Sequence, residues 1–182
     1  MIITVTGRMG SGKNTVMAML PLSSDYKVID ADEIGHELLT RSYVVSRIAL
    51  SFPEAVEEGV INRKKLAELA FPDKVNILNQ IVHPYLIEEI HSHLHPNMLI
   101  HSALPKELKL IELSDLMIFI DSTDKTIKER LKDKFSEDDI VNRLKAQNTR
   151  KWYQEIADVV IDNNGTIEDL KKEIDKKCKN LF

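Results

Sequence analysis

The stretch Gly7-Arg-Met-Gly-Ser-Gly12-Lys13-Asn14-Thr15 constrains this chain more than any other. It follows a short β-branched run, Ile2 to Thr6, and opens a helical pattern, Thr15 to Leu22, that stops at a Pro and Ser cluster. A glycine-rich turn between a strand and a helix is the setting that the Walker A pattern requires. Gly7, Gly10 and Gly12 let the backbone wrap close to phosphate oxygens, so that successive N–H groups and the positive helix end face the anion. Lys13 adds a point charge for β and γ phosphates. The loop from Arg8 through Met9, Gly10, Ser11, Gly12, Lys13 and Asn14 to Thr15 is therefore read as the cradle for ATP. In that pattern the residue after the lysine is Ser or Thr, whose hydroxyl ligates Mg²⁺; here it is Asn14. Three readings of Asn14 stand: its amide oxygen replaces the hydroxyl, Thr15 takes over, or metal binding is impaired. The first is preferred, since an amide oxygen is also a Mg²⁺ ligand.

The rest of the chain alternates strands with helices. Tyr26 to Asp30 reads as a second strand, ending in the acids Asp30 and Asp32 before the amphipathic stretch Glu33 to Leu39. From Ser42 to His95 apolar residues recur at helical spacing almost throughout, with breaks expected at Pro53, a Gly59 turn, Pro72 and His83-Pro84, the last proline suiting a first helical position. That is too many helices for one crossover, and the region is read as a helical insertion that shapes an acceptor pocket. Strands return at Met98 to Ser102, Leu116 to Asp121 and Asp158 to Asp162, and capping boxes are expected at Ser136 with Asp139 and Thr166 with Asp169. Five short strands separated by helices predict an α/β domain with a five-stranded parallel sheet covered on both faces.

With 182 residues, 43% of them hydrophobic, the chain can bury one full core and is too short for two ordinary domains. A net charge of -4, with both signs interspersed, disfavours nucleic acid and membrane surfaces as partners. Cys178 has no cysteine to pair with, no leader peptide is visible at Met1, and no apolar run approaches the ~20 residues that span a bilayer. A cytoplasmic protein is expected. His91, His93 and His95, with His101 nearby, invite a metal reading, but no cysteine or carboxylate completes a persuasive ligand set and a polar helix end explains them. The lysines between 171 and 179 read as the solvated face of a terminal helix.

Beyond the phosphate loop, Val28-Ile-Asp30-Ala-Asp32-Glu-Ile resembles the corresponding motif of the dephospho-CoA kinases. Gly59-Val-Ile-Asn62-Arg63-Lys-Lys-Leu66 is similar to that family's Gly-x-Ile-Asp-Arg-x-x-Leu block, and Leu78-Asn79-Gln-Ile-Val-His83-Pro84 to its Leu-Asn-x-Ile-x-His-Pro block. Arg130, Arg143 with Gln147, and Ala157-Asp158-Val-Val-Ile-Asp162-Asn163-Asn-Gly165 follow in matching order and spacing. The resemblance implies a P-loop NTPase fold of three α/β/α layers with a core (1–34, 97–124 and 156–182), a helical acceptor-binding region (35–96) and a lid (125–155). It also implies transfer of the γ-phosphoryl group of ATP to the ribose 3′-hydroxyl of dephospho-CoA, the last step of CoA synthesis. Departures are Asn14, Lys134 where the family has a second lid arginine, and Ala103-Leu-Pro-Lys-Glu107 where it has Pro-Leu-Leu-Phe-Glu.

Phosphoryl transfer needs a cradle, a metal, cationic clamps and one group that orients the hydroxyl. Asp32 is expected in that last role, Lys13 and Arg143 as its catalytic companions, with Arg130 and Arg143 closing over ATP. A bland reading of Asp32 is an acid complementing a helix N-terminus. Asp30 either supports a metal through water or caps a helix. Arg63, His83 and Glu107 are expected at the acceptor, although His83 could equally tie two helices together. Asn163 is expected beside ATP, though Asn-Asn-Gly is also an ordinary turn. Two other functions stand beside this one: a kinase for another nucleotide or nucleoside, suggested by the altered 103–107 segment, and a non-catalytic ATP-binding regulator, suggested by Asn14 and Lys134.

Overall fold

The computed structural model describes every residue except Pro72, Asn180 and Phe182. Among these residues a five-stranded parallel sheet forms from β1 (Ile2–Thr6), β2 (Lys27–Asp30), β5 (Met98–Ser102), β6 (Leu116–Asp121) and β7 (Val159–Asp162), in the order β2-β5-β1-β6-β7. β1 pairs in parallel with β5 (Ile3 opposite Leu99) and with β6 (Val5 opposite Ile118), and β6 pairs with β7 (Ile120 opposite Ile161). Every residue of β5 is buried, as are all but the first of β1 and of β6, which is the pattern of a sheet covered on both faces. One core cluster sits on it: Ile3, Val5, Leu99, Ile118, Ile120 and Ile161 of the sheet, with Val16 of α1 (Lys13–Met17) and Leu170, Ile174 and Cys178 of α10 (Ile167–Cys178).

The chain leaves β1 toward β2 on one side and leaves β6 toward β7 on the other. The carboxyl ends of these neighbours thus flank the crevice where open α/β sheets hold ligands. The turn after β1 is the phosphate loop, and the turn after β6 leads into α7 (Asp124–Leu131), α8 (Glu137–Lys145) and α9 (Arg150–Ile156). All of this belongs to one compact unit, Met1–Ile29 with His95–Phe182; the second unit is Asp30–Leu94.

The second unit is α2 (Ala31–Leu38), α3 (Ser42–Ser51), a 3₁₀ turn (Pro53–Ala55), a two-stranded hairpin of β3 (Val56–Glu57) and β4 (Val60–Ile61), α4 (Arg63–Ala70) and α5 (Val75–Ser92). α5 packs on both α2 and α3. The Gly59 turn lies where it was expected, with Glu58 and Gly59 both at positive φ (51° and 79°), but it reverses the chain into a hairpin that the sequence reading did not include. One expectation needs correction. Pro84 does not open a helix but sits inside α5; its missing N–H loses one helical bond, and the apolar face that α5 lays on α2 and α3 offsets that loss. Pro72, expected as a break, lies outside the described residues.

Helix ends follow the sequence signals more closely. Thr166 and Asp169 make the full capping box at α10, the hydroxyl accepting from Asp169 N and the carboxylate from Thr166 N. At α8 Ser136 Oγ accepts from Asp139 N, but Asp139 takes the Ser136 hydroxyl, not its backbone N–H, so the expected box is half made. Lys177 departs from a purely solvated face: its ammonium donates to Val160 O at 2.6 Å and pairs with Glu173.

Candidate active site

The phosphate loop is held from beneath by a buried polar network. Gly12 sits at φ 90°, a left-handed conformation, and a Cβ there would lie 2.3 Å from Asn163 Nδ2. Glycine is therefore required both by backbone angle and by the close approach of Asn163. Asn163 Nδ2 donates to Ser11 O at 2.7 Å, and Ser122 Oγ lies 3.1 Å from Ser11 O and 3.0 Å from Asn163 O. Arg130 reaches in from α7: Nη1 donates to Gly10 O (3.3 Å), Ser11 O (3.2 Å) and Ser122 Oγ (3.2 Å), and Nη2 to Asn163 O (2.8 Å). Burial lowers the Arg130 pKa from its ordinary value, but a guanidinium stays charged in proteins. These bonds take up loop carbonyls, which leaves a loop shaped to present N–H groups to an anion.

Lys13, the first residue of α1, is buried, and its ammonium donates to Gly7 O at 3.0 Å and Arg8 O at 3.4 Å, curling back over the loop. Arg8, also buried, pairs with Asp124 (2.6 Å) and donates to Ser122 O (2.7 Å), so the loop's first arginine is tied to the start of α7. Arg8 Nε and Ser11 Oγ are buried and make no hydrogen bond among the described residues. Met9 seats its side chain against Ile127, Leu131 and Ile140, while its N–H donates to Gln147 Oε1 at 3.0 Å. Asn14 and Thr15, in α1, are exposed.

Arg143, on α8, stacks its guanidinium 4.7 Å from the centre of the Phe135 ring. Glu107 lies after β5, accepting from Asn148 Nδ2 at 3.4 Å, and its Oε2 is buried without a hydrogen bond among the described residues.

In the second unit, Asp30 caps α2: its Oδ1 accepts from Asp32 N (2.8 Å) and Glu33 N (3.3 Å), the capping role the sequence left open. Asp32 occupies the first turn of α2 and is exposed. It lines a cleft of ≈ 280 Å³ with His36 and, from α5, Leu78, Asn79 and His83. Asp32 and His83, 51 residues apart in sequence, thus share one wall-to-wall space because α2 packs on α5. Arg63 opens α4 and is exposed, beside Asn62, which caps that helix by accepting from Lys65 N. His93 and His95 place their Nδ1 atoms 2.8 Å from Glu89 O and 3.0 Å from Asn97 O.

Several residues were not singled out from the sequence. Arg150 makes a two-pronged pair with Asp121 (Nε–Oδ1 2.6 Å, Nη2–Oδ2 2.7 Å), and Gln154 Nε2 adds a third bond to the same carboxylate. The carboxylate raises the Arg150 pKa, chiefly through the hydrogen bond. Their four-residue spacing puts Arg150 and Gln154 on one helix face, which is a readable signal, but nothing in the sequence says that Asp121 meets them. Tyr153 is fully buried, stacks on Phe119 with ring centres 5.2 Å apart, and donates to Ala103 O at 2.7 Å. Burial, helped by the Glu107 charge, pushes its pKa well up. Asn164 Oδ1 accepts from Thr123 N (2.8 Å) and Thr126 Oγ1 (2.9 Å).

A nucleotide-phosphate cradle at the head of a parallel sheet is common to several kinase classes, and comparison with known proteins separates them. The CoaE (Dephospho-CoA kinase) family model matches residues 1–169. A dephospho-CoA kinase of Dehalococcoides mccartyi is 34% identical over 183 residues, covering 93% of this chain and 92% of the relative. That of Aquifex aeolicus is 34% identical over 190 residues, covering 98% and 96%. The crystal structure of TT1252 from Thermus thermophilus superposes with a TM-score of 0.76 at 28% identity, covering 97% of this chain and 95% of that one. With the match extending from the phosphate loop into the last helix, this chain belongs to the dephospho-CoA kinase family.

Proposed function

We propose that the protein transfers the γ-phosphoryl group of ATP to the ribose 3′-hydroxyl of dephospho-CoA, giving CoA and ADP in the cytoplasm. The observation that carries the reading is the phosphate cradle, whose carbonyls are engaged by Arg130, Asn163 and Ser122 while Lys13 folds over its mouth. It is set in a chain that matches the family from Met1 onward.

Each residue then has a task. Loop N–H groups and Lys13 hold the β and γ phosphates, and Arg143 adds positive charge as charge moves toward the leaving oxygen. Asp32 accepts the 3′-hydroxyl proton, with His83 in the same cleft orienting the acceptor. Arg63 meets an acceptor phosphate and Glu107 an acceptor donor group. Mg²⁺ would supply charge neutralisation on the ATP phosphates. Asn14 suits it as a ligand: an exposed amide oxygen with no hydrogen bond among the described residues. Asp30 would meet it only through water, since its Oδ1 is engaged with α2.

An acceptor panel tests the reading. ADP formation from ATP and Mg²⁺ is measured with dephospho-CoA, AMP, adenosine and shikimate in turn. Dephospho-CoA should give the highest kcat/KM by a wide margin; equal or better turnover of another acceptor would replace it. ATP binding without ADP formation for any acceptor would favour a regulator.

A further inference from the structure

The linker between α8 and α9, 146–149, places two neighbouring amides on two different parts of the site. Gln147 Oε1 takes the Met9 N–H of the phosphate loop at 3.0 Å, and Asn148 Nδ2 donates to Glu107 Oε1 at 3.4 Å. The first bond tracks the loop that holds ATP, and the second tracks a carboxylate on the segment after β5.

Both ends of the linker are constrained. On one side, Met9 is packed into the Ile127, Leu131 and Ile140 cluster, so α7 and α8 are seated directly on the phosphate loop. On the other, α9 is fixed by the Arg150–Asp121 pair, whose carboxylate is buried, and by Tyr153, whose hydroxyl holds Ala103 O at the start of the Glu107 segment. A linker this short, between an anchored helix and one seated on the loop, is a direct path from Met9 through Gln147 and Asn148 to Glu107, along which a shift of Met9 on phosphate binding would pass. The Glu107 carboxylate is poorly served otherwise: its Oε2 is buried with no hydrogen bond among the described residues, so Asn148 is a large part of what sets its orientation.

We propose that Gln147 and Asn148 are positioning residues that couple the two substrates, so that filling the phosphate loop aligns Glu107 for the acceptor and the acceptor in turn tightens the loop on ATP. This rests on the proposed function, in which the loop holds ATP and Glu107 meets the acceptor. Coupling is reciprocal by linkage: the factor by which dephospho-CoA improves nucleotide affinity equals the factor by which nucleotide improves dephospho-CoA affinity.

The test is calorimetric titration of a non-hydrolysable ATP analogue with Mg²⁺ into the protein alone and into protein saturated with dephospho-CoA. In the wild type the second affinity should exceed the first by about fivefold or more. Asn148→Ala should bring the ratio close to one while leaving the affinity of the unliganded protein for the analogue unchanged. Asn148→Asp is a second variant of almost the same shape that leaves no cavity; it sets an acceptor against the Glu107 carboxylate and should lose the coupling too. A residue that merely stabilised the fold would weaken both titrations together and keep their ratio. A wild-type ratio of one, or a ratio kept at the wild-type value in either variant, would overturn the inference. Failure of the underlying reading looks different: the wild type would form no CoA, whatever its binding ratio.

Discussion

Asp32 shows how far a single residue can be read. Its position after a strand-to-helix boundary fits both a base and an acid complementing a helix end: it lies in the first turn of α2, which Asp30 caps, and it lines the cleft with His83. The proposed function assigns it the first role. Asp32→Asn should therefore reduce kcat by about 10²-fold or more with the KM for ATP little changed. A loss of only a few-fold in steady-state kinetics would return Asp32 to its electrostatic role at the helix end. The strand, glycine turn and helix start around Lys13 were legible because their signal is local: glycines, a lysine and a helix start lie within nine positions. Asn163 was legible only in part. The sequence set it near ATP, whereas its amide is found beneath the loop on Ser11 O, a bond between residues 152 apart that no local pattern encodes.

Among the elements, the strands at 98–102 and 116–121 fall where the sequence placed them, because each carries an apolar run, 98–100 and 116–120, of the kind that a strand buried on both faces needs. The β3–β4 hairpin was missed for the opposite reason: two-residue strands carry no period to detect. α5 runs through Pro84 because its packing on two helices outweighs the local penalty of about 3 kcal/mol. At α10 the capping box was read correctly, and it has a pH signature. Hydrogen bonds from Thr166 lower the Asp169 pKa below the ordinary value of 3.8. A depressed folded-state pKa gives stability that is present above the unfolded value and lost as pH falls through the folded one. Thermal melts of wild type and Asp169→Asn should accordingly differ at pH 7 and converge as the pH falls below the ordinary carboxylate range. A difference that is constant across that range would remove the ionised carboxylate from the cap's contribution.

For the molecule as a whole, fold class and family were legible because ordered motifs span the chain, and the family model matches over the same stretch, residues 1–169. The helical density of 35–96 was legible too, and the structure has a compact unit at Asp30–Leu94. Long-range ties such as Arg150 with Asp121, and Tyr153 with Ala103, were not, since each joins residues at least 29 apart with no shared pattern. The second of these ties holds the start of the altered 103–107 segment. The most direct measurement is the mass of dephospho-CoA after incubation with the protein, ATP and Mg²⁺, with ADP followed in parallel. The account expects the acceptor to gain one phosphate for each ADP formed and to become CoA; an acceptor of unchanged mass, with ATP bound and intact, would contradict it.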